Sequence, residues 1–296
     1  MSPSDKENPF VHVSAGAISA ETFPLPSLSL DQLKAMAKGI RRHIVTMTCQ
    51  AGSGHPGGSL SAVELATALY FKVLRHRPAD PCWPGRDRFV LSKGHAAPLL
   101  YAVLAECGYF PVADLANLRK IHSHLQGHTD RTCTPGVEMS AGSIGQGLSF
   151  GLGMALAGRL DGLDYRVHVL LGDGECDEGQ IWEAAMAAAH FKADNLVAIV
   201  DRNKIQLTGW TKDIMELEPF ADKWRAFGWQ VAECDGHSLP QILQALEEAK
   251  QVKGRPSVII AHTVKGKGVS FMENNPQFHG KVCTPQELEI ALRELG

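Results

Sequence analysis

Asp173 stands between two glycines in residues 172–182 (GDGECDEGQIW), directly after the apolar run 166–171 (RVHVLL). A second apolar run begins at Leu196 and ends in the polar cluster 201–206 (DRNKIQ), which holds Asn203. If the two runs are parallel strands, Asp173 and Asn203 leave the sheet at one edge, where ligands of parallel α/β sheets bind. A carboxylate beside an amide oxygen suits a hard cation such as Mg2+ or Ca2+, not zinc. Mg2+ is commonly held by a carboxylate, neutral oxygens and substrate phosphates. Gly174 lets backbone N–H groups approach an anion at the start of the following helix, where the helix dipole favours it. The implied ligand is a diphosphate bridged by Mg2+. Taken singly, both signals are weak, since Asp-Gly is a common turn and Asn a common loop residue. Their weight lies in the spacing: 28 residues, 175 to 202, separate Gly174 from Asn203, one βαβ unit's worth.

The elements that must position these residues alternate. Strand-like runs at 166–171 and 196–200 are continuously apolar, as expected when helices cover both faces of a parallel sheet. Between them, 178–192 has a helical pattern, and 228–236, 238–252 and 256–263 read as strand, helix and strand. Repeated β-α-β predicts an α/β fold with a largely parallel sheet and helices on both faces. Upstream, 31–50 has helical periodicity with Leu33, Met36, Ala37, Ile40, Ile44 and Met47 on one face, and Asp31 as N-cap or first-turn acid. Residues 52–59 (GSGHPGGS) read as a segment no regular element tolerates, followed by one apolar helix over 60–74. A Pro-rich loop (76–88), a short strand (88–92) and a turn leading into a helix (93–108) come next. Residues 122–147 form a long Gly-, His- and Thr-rich connection, a length that is usually functional. The helix expected over 147–160 is so rich in Gly and Ala that close packing against another helix is predicted. Residues 1–30, rich in Ser and Pro, read as a flexible extension, and 31–296 as the folded domain.

The 296 residues are 44% apolar, enough for a sizeable core, and carry a formal charge of −3. No basic stripe supports phosphate-backbone binding, so a nucleic-acid partner is not expected. Seven cysteines include no C-x-x-C pair; reduced thiols and a cytoplasmic location are expected. Neither a signal peptide nor a run of about 20 apolar residues for a membrane span is evident.

Gly-Asp-Gly followed after 28 residues by Asn resembles the thiamine-diphosphate signature. Four further segments resemble transketolases: 54–61 (GHPGGSLS), 91–104 (LSKGHAAPLLYAVL), 134–149 (TPGVEMSAGSIGQGLS) and 262–280 (HTVKGKGVSFMENNPQFHG). The resemblance runs from about residue 31 to the C-terminus. A dinucleotide-binding reading fails, because 151–158 (GLGMALAG) lacks the fingerprint spacing and sits in a helical pattern.

The resemblance implies the diphosphate domain of the thiamine-diphosphate-binding fold and a role for each matching position. Asp173, Asn203 and the backbone carbonyl of Ile205 would hold Mg2+, with Ca2+ or Mn2+ as substitutes. Gly174 would contact the diphosphate. His95 and His279 would approach the diphosphate or the thiazolium side. His55 and His128 would line the channel where substrate hydroxyls meet the cofactor. Gly142 and Ile144 would contact the aminopyrimidine, and Glu178 would lie near a subunit interface, linked to cofactor activation. Ketol transfer needs a proton taken from a hydroxyl and stabilisation of developing oxyanion charge, and imidazoles near neutrality do both. His128 departs from the family pattern, where His-Pro is common; here the run is 127–130 (GHTD). Of the thirteen histidines, His43, His76, His190 and His237 read as structural. His122 and His124 match no role, and His262 is a secondary candidate at a strand end. Lys265 and Lys267 read either as a solvated basic turn or as diphosphate neighbours, and Cys176 as a small filler.

Transketolases carry a second domain with the glutamate that activates the cofactor ring, and no segment here resembles it. The resemblance therefore implies the N-terminal subunit of a split transketolase, or a fragment of a longer one. It would transfer a two-carbon ketol unit between sugar phosphates, as in pentose phosphate metabolism, with a C-terminal partner subunit in a heterotetramer of two copies of each chain. A related enzyme for an unusual sugar phosphate and a non-catalytic cofactor-binding protein are the competing readings.

Overall fold

The computed structural model describes residues 28–296, so the extension expected over 1–30 falls almost wholly outside the described residues. Five strands, β1 (Arg88–Leu91), β2 (Val167–Gly172), β3 (Leu196–Arg202), β4 (Gln230–Asp235) and β5 (Ser257–His262), pair in the order β1-β2-β3-β5-β4. All pairings are parallel. Strand residues alternate between two hydrophobic clusters. Val169, Leu171, Ala198, Val200, Val258 and Ile260 point into one, and Leu170, Val197, Ile199, Ile259 and Ala261 into the other. A sheet buried on both faces leaves its strands no polar face, which is why the sequence runs are continuously apolar.

The helices divide between those faces. α1 (Leu30–Ala51), α2 (Pro56–Leu60), α3 (Val63–Ala68) and α4 (Ala97–Glu106) precede or flank β1. α5 (Gly147–Leu160) and α6 (Gly179–His190) flank β2, α7 (Thr211–Ile214) and α8 (Phe220–Ala226) follow β3, α9 (Leu239–Gln251) joins β4 to β5, and α10 (Pro285–Glu294) comes after β5. Residues from α1, α3, α4, α9 and α10 build one core, and residues from α5, α6 and α8 the other. α1 starts one residue earlier than its pattern suggests, because Ser29 forms a capping box with Gln32 and leaves Asp31 as a first-turn acid. The short helices α7, α8 and α10 have no counterpart in the sequence reading.

Two expectations are corrected and a third is widened. Residues 52–59 are not wholly irregular: Pro56 opens α2, whose five residues are all buried. Its glycines admit close neighbours; a Cβ on Gly58 would lie 2.8 Å from His95 Nε2. The single helix expected over 60–74 is broken. Ala62 leaves helical geometry (φ −107°, ψ 17°), α3 resumes at Val63, and Leu69–Val73 widens to a π turn. The break lets Ser61 turn its hydroxyl to Asp201 at the end of β3. Finally, the small residues of α5 serve the sheet as well as a helix, since a Cβ on Gly151 would collide with Val169 of β2.

Candidate functional site

The carboxyl ends of β2 and β3 lie side by side, with Gly172 in register with Asp201. The chain turns off β2 at Asp173, which is 2% exposed. Its carboxylate accepts hydrogen bonds from Gly174 N–H (2.8 Å), Lys204 N–H and the Arg202 guanidinium (3.2 Å). Burial, followed by the nearby Asp201 charge, pushes the Asp173 carboxyl above its usual range. A carboxylate offers about four lone-pair sites; three are in use, so one remains for a cation. Asn203 Oδ1 accepts from Ile205 N–H (3.1 Å), while its Nδ2 donates to Asp201 (3.1 Å). The Ile205 carbonyl accepts from Lys265 Nζ (3.0 Å).

Lys265 ties this edge to a second group. Its ammonium, 2% exposed, also meets His279 Nδ1 at 3.0 Å. His279 heads a cluster of imidazoles: ring centroids lie 4.9 Å from His95 and 5.4 Å from His55, and His55 lies 5.7 Å from His95 and 5.6 Å from His128. These rings come from four separate segments: the loop before α2, the turn after β1, the long connection and the loop after β5. All four are held below the usual histidine range. Burial, then the Arg119 charge, brings His55 down to about 4. Burial, then Lys265, brings His279 to about 3. Burial and Lys93 act on His95, and burial and Arg119 on His128. At neutral pH all four are therefore uncharged and able to accept a proton.

The remaining positions sit apart. The atoms nearest to a Cβ on Gly142 would be those of His128, at 3.8 Å or more, so this exposed position leaves room beside the cluster. Ile144 is 37% exposed. Glu178 is exposed at the start of α6, its side chain against Gly145. No hydrogen bond or ring contact among the described residues joins Ile144 or Glu178 to the imidazoles. His262 pairs with Glu233 on the surface and Lys267 with Glu273, so the two lysines of that loop part: Lys265 is inside and Lys267 outside. Cys176, fully buried against the Gly172 carbonyl, is a filler.

Sequence reasoning passed over the groups that brace the site. Lys93 is 1% exposed, donates to the Gly58 carbonyl (2.8 Å) and pairs with Asp201. Burial alone would raise the Asp201 carboxyl, but Lys93, Ser61 and Thr263 hold it below the usual range. Glu175, also buried, accepts from Ser92, Gly172 N–H (2.9 Å) and Gly145 N–H (2.8 Å), joining the Asp173 turn to the Gly145 turn. Lys93 and Glu175 lie inside the very motifs that marked the site, one beside His95 and one beside Gly174.

The donor set fits a diphosphate and a hard cation. Among the described residues no three His, Cys, Asp or Glu side chains are placed to hold a metal ion by themselves; the oxygens available are one carboxylate, one amide and one backbone carbonyl, the mixture Mg2+ accepts. Lys265 is buried with no carboxylate within salt-bridge distance among the described residues, and burial followed by Lys93 lowers it to about 8. Asp173 and Asp201 stabilise it only from a distance, and a buried ammonium without a direct ion pair is costly unless an anion joins it. His55 Nδ1 and Gln206 Oε1 are buried with no hydrogen-bond partner, as expected of groups that await a ligand.

Comparison with known proteins identifies the family. Residues 32–296 match the family model described as transketolase, thiamine diphosphate binding domain. The chain is 47% identical over 263 residues to the SqwG subunit of the 6-deoxy-6-sulfo-D-fructose transketolase of Clostridium sp. (strain MSTE9), covering 89% of this chain and 96% of the relative. It is 46% identical to one of the subunits of the apulose-4-phosphate transketolase of Actinobacillus succinogenes, over 91% of this chain and 98% of that protein. Among solved structures, the transketolase mutant R525L of Pichia stipitis superposes with a TM-score of 0.85 at 34% identity, covering 91% of this chain but 41% of that one. The chain thus spans about two fifths of the solved transketolases it matches. With a family model covering nearly every described residue and two relatives matched almost end to end, this chain belongs to the transketolase family, in its thiamine-diphosphate-binding domain.

Proposed function

We propose that the chain is one of the subunits of a transketolase that moves a two-carbon ketol unit between sugar phosphates, using thiamine diphosphate and Mg2+ and acting with a partner subunit. The observation that carries this reading is the junction at Lys265, where the His279 end of the imidazole cluster meets an oxygen-rich edge around a buried ammonium that forms no ion pair among the described residues. Asp173, Asn203 and the Ile205 carbonyl would hold the cation. Gly174 N–H, Lys265, His95 and His279 would receive the diphosphate end. When bound, the cofactor supplies the nucleophilic carbon and the electron sink. His55 and His128 would take protons from substrate hydroxyls and return them, and their donor nitrogens would steady developing oxyanion charge. The exposed Gly142–Ile144 turn and Glu178 would face the aminopyrimidine and a neighbouring subunit.

The partner is inferred from the relatives named as subunits, which this chain matches over nearly their whole length. We expect a heterotetramer of two copies of each chain in the cytoplasm. The names of those relatives also favour a substrate other than the pentose phosphates, namely a sulfo-sugar or an unusual sugar phosphate. Calorimetric titration with thiamine diphosphate and Mg2+, with and without a co-expressed partner, tests the cofactor assignment. A panel of donor and acceptor sugars tests the reaction. Little turnover is expected of the chain alone; full turnover without the partner would overturn the two-subunit reading, and absence of cofactor binding in the assembled protein would overturn the site.

A further inference from the structure

Arg119 has no part in the motifs above, yet it stands at the mouth of the imidazole cluster. Its guanidinium forks. Nη1 donates to Ser53 Oγ at 2.8 Å, two residues before His55, and Nη2 donates to the Gly127 carbonyl at 3.1 Å, one residue before His128. The planar fork lies against the backbone it grips: a Cβ on Gly127 would come within 3.1 Å of the Arg119 Cζ. Arg119 itself holds a left-handed backbone, φ 60°, and its N–H donates to the Leu125 carbonyl at 2.9 Å. A non-glycine residue keeps that conformation only where its surroundings require it. No carboxylate pairs with the guanidinium among the described residues, so its charge is directed to the cluster and not neutralised at the surface.

We propose that Arg119 is a positioning residue that clasps the loop carrying His55 to the loop carrying His128 and sets the spacing of the two rings. Neither loop has regular structure to fix it: His55 lies between the end of α1 and the short α2, and His128 lies in the long connection. Without the clasp, the 5.6 Å ring separation rests on loop packing alone. A second effect follows from the same charge. Arg119 is the largest electrostatic contributor, after burial, to keeping both imidazoles uncharged. The charged and titratable groups facing His55 are Arg119, Lys265 and the rings of His95, His128 and His279; those facing His128 are Arg119 and His55. A lysine could supply the charge but not the two-pronged span, because only a guanidinium presents a rigid fork.

The inference rests on the proposed roles of His55 and His128, and its test separates the two. NMR titration of labelled histidines in the chain without cofactor reads ring pKa values whatever the chain catalyses. In Arg119→Met, the His55 and His128 resonances should titrate higher by about half a unit to one unit, as expected for loss of a partly solvated neighbouring cation. In Arg119→Lys they should shift by less than half of that. In the assembled enzyme, Arg119→Lys should keep the acid limb of the pH–rate profile and lose about tenfold or more in kcat, because the loops separate. Arg119→Met should show both the loss and an acid limb moved to higher pH. Ser53→Ala removes one prong and leaves the charge, so it should reproduce the lysine phenotype more mildly and serves if the Arg119 variants misfold. Unmoved resonances in Arg119→Met, or full kcat in both Arg119→Lys and Ser53→Ala while Arg119→Met loses it, would overturn the clasp. Shifted resonances with no change in any rate would leave the clasp standing and overturn the roles given to His55 and His128.

Discussion

Asp173 permits a separation of stability from cation binding, because its carboxylate is at once costly and well used. Asp173→Asn removes the charge but keeps the size and one accepting oxygen. The Arg202 guanidinium loses an ionic partner at 3.2 Å yet retains Glu218 at 2.9 Å and Thr211 Oγ1 at 3.0 Å. Loss of that pairing is offset by release from burying a carboxylate whose ionisation burial disfavours. With that oxygen kept for Lys204 N–H and Arg202, the amide NH2 faces Gly174 N–H, which loses its acceptor, so the cofactor-free chain should lose about 1–2 kcal/mol, less than the alanine variant. Asp173→Ala strips the acceptor from Gly174 N–H, Lys204 N–H and Arg202 together. One charged and two neutral donors then lack a partner, at a cost of about 3–5 kcal/mol. Both substitutions remove the only anionic ligand proposed for Mg2+ and should weaken cation-dependent cofactor binding about a hundredfold or more, equivalent to about 3 kcal/mol. Urea denaturation without cofactor and calorimetry with thiamine diphosphate and Mg2+ read the two effects apart. Cofactor affinity within threefold of the parent in Asp173→Asn would refute the metal assignment, and equal stability of the two variants would refute the hydrogen-bond account.

Three other outcomes are expected. Lys265→Met relieves a buried ammonium but leaves the Ile205 carbonyl and His279 Nδ1 without their partner, so cofactor-free stability should change by no more than about 2 kcal/mol in thermal melts, while inorganic pyrophosphate binds about tenfold or more weakly; unchanged pyrophosphate affinity would count against the anion site. Gly174→Ala would set a methyl 2.6 Å from Gln206 Cβ, so the loop after β3 must shift and cofactor affinity should fall about tenfold or more in a titration; tight binding would show that Gly174 is not a close-approach residue. Histidines held low in the native state take up protons on unfolding, so stability should fall as pH drops from about 6.5. For His55 and the 3% exposed His168 the loss completes near 4, and for His279 near 3. His168→Leu should flatten the slope of stability against pH by about 1.4 kcal/mol per unit between those limits; an unchanged slope would mean that His168 is already charged in the fold.

The parallel sheet was legible because burial on both faces writes continuous apolar runs into β2, β3 and β5. The cation edge was legible because Asp173 and Asn203 sit at the ends of two such runs. What escaped was set by tertiary contact. Residues 56–60 form a helix that Gly57 and Gly58 disfavour intrinsically, and packing against His95 and the loop after β5 overrides that preference. The break at Ala62 goes with a contact no local pattern encodes, Ser61 to Asp201, 140 residues away. The histidines were found singly through their motifs, but their mutual distances belong to four loops whose lengths carry no geometric signal. Buried Lys93 and half-buried Lys267 are alike in sequence; only the fold makes one a brace of the site and the other a partner of Glu273.

The brace around Asp201 also bears on the order in which the molecule assembles. Its carboxylate gathers Lys93 from 108 residues away, Ser61 from 140 and Thr263 from 62. Each closure of so long a loop must wait for the strands between, since contacts distant in sequence form late and slowly. Asn203 reaches the same carboxylate through a local bond, so the anchor of its amide gains its full set of partners only when β1, α2, β3 and the end of β5 have met. Gain of cofactor binding during refolding should therefore trail the return of helical and strand signals, and serve as a clock for the last step of folding.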